Sequence, residues 1–117
     1  MAETSPYDQA FEYTDDPGTT KNIAVTTNSN IQLVIANAAE TNTCGPPLFP
    51  GQILLISVKS LAGSGTRAIT FSQAINKAAN TIATMAVVTD TLALIGMKLQ
   101  GGILKWRVLA NDGITLS

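Results

Sequence analysis

Residues 91–109 read Thr91-Leu-Ala-Leu-Ile-Gly-Met-Lys-Leu-Gln-Gly-Gly-Ile-Leu-Lys-Trp-Arg-Val-Leu109. Two apolar runs flank Gln100-Gly101-Gly102, and the two glycines can take the positive φ that a tight hairpin turn needs. After the turn, Leu104, Trp106 and Val108 alternate with Lys105 and Arg107. A period of two predicts a half-buried strand with Leu104, Trp106 and Val108 in the core. The run before the turn, Leu92 to Met97, is apolar on both parities. It places Leu92 and Leu94 in the core and leaves a second apolar face for an opposing layer or another subunit to cover. The expected centre of the fold is therefore a β-hairpin.

The rest of the chain supplies partners for it. Ile23 and Val25 suggest a short strand, and Thr26 to Asn30 a polar turn. Residues 31–36 form an expected strand with Ile31, Leu33 and Ile35 on one face. From Asn37 to Gly51 a long loop is expected, because Pro46, Pro47 and Pro50 with Gly45 and Gly51 oppose regular structure. Leu48 and Phe49 are apolar within that loop, which marks it as a contact with the body or with another subunit. Residues 52–59 form a strand that is again apolar on both parities. Residues 62–65 form a turn, and residues 66–71 a strand with Ile69 and Phe71 inward. Residues 73–88 are ambiguous: Ile75, Ala78, Ala79, Ile82, Met85 and Ala86 have helical spacing, whereas the asparagines and threonines suit a loop followed by a strand over residues 80–85. The latter reading is taken. Asn111-Asp112-Gly113 is a turn before a terminal strand, residues 114–116. About eight short strands predict a single all-β domain, an antiparallel β-sandwich of jelly-roll type, over residues 22–117. Two strands apolar on both faces give more apolar surface than one sandwich buries, which predicts an oligomer interface.

Residues 1–21 differ in kind. They read as an extended N-terminal arm that ends in a turn at Asp15-Asp16-Pro17-Gly18. The first twenty residues hold five acids and no base, whereas the remainder holds seven bases and three acids. Tyr7, Phe11 and Tyr13 lie among Asp8, Glu12, Asp15 and Asp16, a spacing of aromatic anchors and carboxylates suited to a partner surface.

Other classes of function find little in the chain. Its 117 residues contain no histidine, one cysteine (Cys44) and a net charge of −1. No Ser-His or His-metal scheme can be built, and no disulfide can form within the chain. Carboxylates at Asp15, Asp16, Glu40, Asp90 and Asp112 fall in turns and loops, where they commonly serve the backbone, so the chain is not expected to be an enzyme. No cofactor, metal or small-molecule substrate is expected. Scattered bases argue against nucleic acid. The start of the chain lacks a signal-peptide pattern, and no apolar run approaches the roughly 20 residues that span a bilayer.

The body also carries a resemblance. Residues 50–56 (Pro-Gly-Gln-Ile-Leu-Leu-Ile) followed by a Gly-rich turn and Thr66 to Phe71 resemble a pattern in phage virion proteins. So does Thr81-Ile82-Ala83-Thr84 leading through Thr89-Asp90 into Leu92 to Ile95, although the pattern usually has Gly before that Asp. The closing stretch from Gly102 through Trp106-Arg107-Val108 to Asn111-Asp112-Gly113 is the most specific part. It resembles the end of small β-rich bacteriophage head decoration (cement) proteins and of some fibre or knob domains. The decoration family implies a homotrimer on the outer surface of the capsid that clamps neighbouring major capsid subunits, made in the host cytoplasm. A trimeric fibre tip that binds a glycan or receptor is the alternative, and it would need an exposed aromatic platform rather than an inward Trp106.

Overall fold

The structure is a computed structural model that describes residues 12–117. It is all-β. Ten strands are present among the described residues: β1 (Glu12–Thr14), β2 (Asn22–Ile23), β3 (Ser29–Ile35), β4 (Ala39–Cys44), β5 (Ile53–Leu61), β6 (Thr66–Phe71), β7 (Ile82–Met85), β8 (Thr91–Lys98), β9 (Leu104–Asp112) and β10 (Thr115–Leu116). They form two five-stranded sheets, ordered β1-β3-β5-β8-β9 and β10-β7-β6-β4-β2.

Both sheets are mixed, which corrects the expectation of an antiparallel sandwich. β1 to β6 fall alternately in the first and second sheet, and each from β3 onward pairs parallel with the strand two before it. Parallel neighbours need a crossover connection. Here the crossover is a strand of the opposite sheet, so the first half of the chain winds around the core. The second half turns back. β7 runs antiparallel to β6, β8 to β5, β9 to β8 and β10 to β7.

Alternation decides which side chains go inward. Ile31, Leu33 and Ile35 of β3, Leu54, Ile56 and Val58 of β5, and Leu92 and Leu94 of β8 point away from water. They share one cluster with Ile69 and Phe71 of β6 and Ala83 and Met85 of β7. The central hairpin forms as its sequence requires. Gln100–Gly102 make a single 3-10 turn, with φ of 85° at Gly101 and 75° at Gly102. Of the expected core residues, Leu92, Leu94 and Trp106 are buried. Leu104 and Val108 are only half-buried, and this is a correction. Both lie on an edge strand, with β8 on one side only. Val108 still packs against the cluster.

Two segments differ further from expectation. Residues 39–44, read as loop, form β4. Its inward positions are Glu40, Asn42 and Cys44, opposite Arg67, Ile69 and Phe71 of β6. The apolar alternation that betrays a strand is therefore missing. Residues 12–14, read as part of an arm, form β1 on the edge of the first sheet. The ambiguous stretch resolves as irregular chain followed by β7, without a helix.

Candidate interaction surface

The outward side of the first sheet is the most unusual surface of the body. Strand registers place Ile53 beside Ile95 and Leu55 beside Ala93, with Ile95 in turn beside Arg107 and Met97 beside Lys105. Their neighbours Leu54, Leu92, Leu94 and Trp106 point into the core, so these residues point out. Ile53, Leu55, Ala93 and Ile95 are half-buried by one another, and Met97 is exposed. An apolar strip over β5 and β8 is thus bordered by two bases on β9. At the opposite edge of the sheet, Tyr13 shares the outward side with Asn30 of β3 and is 53% exposed. Glu12 and Asp15 beside it are exposed as well.

A buried ion cluster fixes this acidic edge. Arg67 of β6 is fully buried. It donates from Nη1 to Asp16 Oδ1 at 2.8 Å and to Asn42 Oδ1 at 2.8 Å, and from Nη2 to the carbonyl of Val34 at 3.2 Å. Its Nε and Nη2 also reach Glu40 Oε1 at 3.2 and 3.1 Å. Asp16 in turn accepts from the amides of Gly18 and Val34. Asn42 donates to the carbonyls of Gly18 and Lys21. Residues 16–21 are strapped to both sheets, and β1 is held with them. Alternation with Ile69 and Phe71 already puts Arg67 inward, but the sequence does not reveal its partners.

Burial alone would raise the Asp16 carboxyl. The hydrogen bond from Arg67, those from the Gly18 and Val34 amides, and the guanidinium charge outweigh it and hold its pKa below the usual 3.8. A depressed folded pKa adds stability that is fully present above the unfolded value and is lost as pH falls through the folded one. The urea midpoint is therefore expected to drop below about pH 4, and Asp16→Asn is expected to flatten that acid limb. An unchanged acid limb in the variant would remove Asp16 as its source.

The loop of residues 45–51 is a second candidate contact. Leu48 is 58% and Phe49 39% exposed. The loop is nonetheless tied down at several points. Trp106 donates from Nε1 to the carbonyl of Gly45 at 2.9 Å. Buried Gln52 accepts from the Leu48 amide at 2.7 Å and donates to the Thr27 carbonyl at 2.9 Å. A cavity of about 310 Å³ lies between the loop and residues 22–26, with Ile23, Val25, Pro46 and Leu48 in its wall. Burial pushes the Cys44 thiol up to about 12, so it stays neutral near pH 7.

The residues singled out from sequence therefore separate into several places. Glu12, Tyr13 and Asp15 lie at the sheet edge, Asp16 in the ion cluster, and Leu48 and Phe49 on the loop. Tyr7, Asp8 and Phe11 fall outside the described residues. Asp90 accepts from the amides of Ala86 and Val87 and closes a turn. No group of three His, Cys, Asp or Glu side chains gathers to hold a metal among the described residues. Neither a protein-family model nor a curated protein sequence matches the chain.

Proposed function

We propose that this protein is a capsid decoration protein. It binds as a homotrimer to the outer surface of a phage head and clamps neighbouring major capsid subunits. Its role is adhesion rather than catalysis, and its two sheets serve as a rigid β-sandwich platform. The observation that carries the reading is the outward apolar strip with its acidic, aromatic edge, on a body whose own core is already complete. Such surface on a finished domain marks contacts with other chains. The strand-and-turn pattern shared with decoration proteins supplies the kind of partner. Of the expected shell contacts Tyr7, Asp8, Phe11, Glu12, Tyr13, Asp15 and Asp16, the last is taken up by Arg67, and Tyr7, Asp8 and Phe11, with the Leu48–Phe49 loop, are the residues kept for the shell. Aromatic side chains anchor such contacts, and carboxylates orient them against basic groups. Many copies, each with a contact of about 800 Å² per partner, together resist the outward push of packed genome. The fibre-tip alternative draws no support from Trp106, which is 2% exposed.

The test is co-sedimentation with mature shells that lack the protein. Saturable binding at a stoichiometry matching three-fold positions is expected, and absence of binding overturns the reading. A truncation that removes residues 1–11 is the informative variant. It keeps Asp16 for Arg67 and is expected to weaken shell binding by at least about tenfold, the loss of one or more aromatic anchors. Unaltered attachment would take the shell contact away from that segment.

A further inference from the structure

The first sheet is electrically lopsided. Glu12 and Asp15 are exposed at its β1 edge, and Lys105 and Arg107 point outward at its β9 edge. None of these four makes an ion pair among the described residues. The registers also fix their heights. Glu12 is level with Ser29, Leu54, Leu94 and Val108 across the five strands, and Arg107 lies one residue from Val108. The apolar strip is off-centre. It covers β5 and β8 towards the basic edge, whereas β3 presents Asn30 and Gln32 outward beside it and an exposed Val34 only at its far end, opposite Ser60. The acidic edge and the apolar strip are thus different surfaces with matching chemistry.

We propose that the outward side of the β8–β9 hairpin receives the β1 edge of a second copy of this chain, and that repetition of this head-to-tail contact closes a ring. Tyr13 of one copy lies on Ile95 and Met97 of the next, and Glu12 and Asp15 meet Arg107 and Lys105. A contact between unlike surfaces that is not reciprocated across a two-fold axis is heterologous, and a heterologous contact that closes generates a cyclic oligomer. Plain strand pairing between the two edges is obstructed, because the Val108 amide already donates to the carbonyl of Ile75 at 2.9 Å. The contact therefore runs through side chains, with Tyr13 reaching from the outward side of β1 and Glu12, whose register partner is the buried Ser29, from its exposed rim. The inference rests on the self-association within the function proposed above and not on attachment to a shell. It assigns Glu12, Tyr13 and Asp15 to the neighbouring copy and leaves the shell to other residues.

Sedimentation velocity on the full chain tests it. The wild type is expected to form a closed oligomer that weakens as salt is raised. Ile95→Asp is expected to be monomeric and to keep a cooperative unfolding transition at a lowered midpoint, since Ile95 is half-buried beside Ile53 on an inner strand but lies outside the core. Lys105→Glu with Arg107→Glu is a second receiving-side variant, and it adds no polar group to the apolar strip. On the other side, Tyr13→Ala with Glu12→Lys is expected to raise the dissociation constant by at least about tenfold. The decisive step mixes the Ile95→Asp chain with the Tyr13→Ala, Glu12→Lys chain. Each retains one intact half, so a 1:1 heterodimer is expected from two monomers. A monomeric wild type overturns the proposal, as does a two-fold dimer whose variants do not complement on mixing. Unimpaired assembly of both receiving-side variants also overturns it, and so does an Ile95→Asp chain whose only defect is shell binding. Shell co-sedimentation is scored separately, so an oligomer that ignores shells would sink the decoration role and leave the ring intact.

Discussion

Arg67→Met is expected to cost about 3–5 kcal/mol of folding stability, read from urea unfolding at neutral pH. The guanidinium is 1% exposed, and the Asp16 and Glu40 side chains around it are each 11% exposed. Methionine fills much of the volume but donates nothing. Two carboxylates, the Asn42 amide oxygen and the Val34 carbonyl then lose donors together in a place that water reaches poorly. Uncompensated buried charge is what makes such a deletion costly. The intact cluster need not be worth as much, since a buried ion pair replaced in full by apolar groups is often neutral. The triple variant Asp16→Asn, Glu40→Gln, Arg67→Met is therefore expected to recover a good part of the loss. Arg67→Met also has a local signature. It cuts the strap over residues 16–21, so trypsin is expected to cleave after Lys21 while the rest of the body resists. A loss under about 1 kcal/mol, or proteolysis spread over the whole chain, would show that the cluster does not hold the acidic edge.

That cluster also explains why part of the fold could not be read from the residues. β3, β6 and β9 show their period of two, because their inward positions are apolar, and β5 and β8 read as strands because they are apolar on both parities. β4 does not, because Glu40 and Asn42 face Arg67 instead of the core. The pairing of Arg67 with Asp16 spans 51 residues and two sheets, a separation that no local pattern carries. Sheet order was hidden for a related reason. A chain without helical crossovers reads as antiparallel, since parallel neighbours usually need a helix between them. Here each sheet supplies the crossover for the other. The interaction surface was more legible. Residues 53–56 and 92–95 are apolar on both parities, and the structure uses one parity for the core and leaves the other facing out. Which edges border that surface, and with which charge, depends on the sheet order and so came only with it.

Trp106→Ala is the other substitution expected to cost about 3–5 kcal/mol, the range for deleting a buried tryptophan. The indole is 2% exposed and lies opposite Gly96 on β8. A glycine there leaves room for the ring, and an aromatic across the strand covers the backbone that a glycine leaves bare. Gly96 cannot readily be filled from its own side. An added Cβ would come within 2.8 Å of the Phe49 carbonyl oxygen and the Pro47 side chain. The loop of residues 45–51 thus rests against Gly96 and is fastened by the hydrogen bond from Trp106 to Gly45. Two variants separate packing from fastening. Trp106→Phe keeps most of the ring volume and loses the donor, so a cost of about 1–2 kcal/mol is expected. Its effect on amide hydrogen exchange should be confined to residues 45–51. Trp106→Ala should instead loosen the hairpin and the loop together, because it empties a space that both share. Since Leu48 and Phe49 sit on that loop, Trp106→Phe is also expected to weaken whatever contact they make while the sheets stay intact. A Trp106→Ala chain as stable as wild type would mean that the indole is peripheral. Exchange in Trp106→Phe that accelerates equally in β3 and β5 would mean that the loop is not a separate unit.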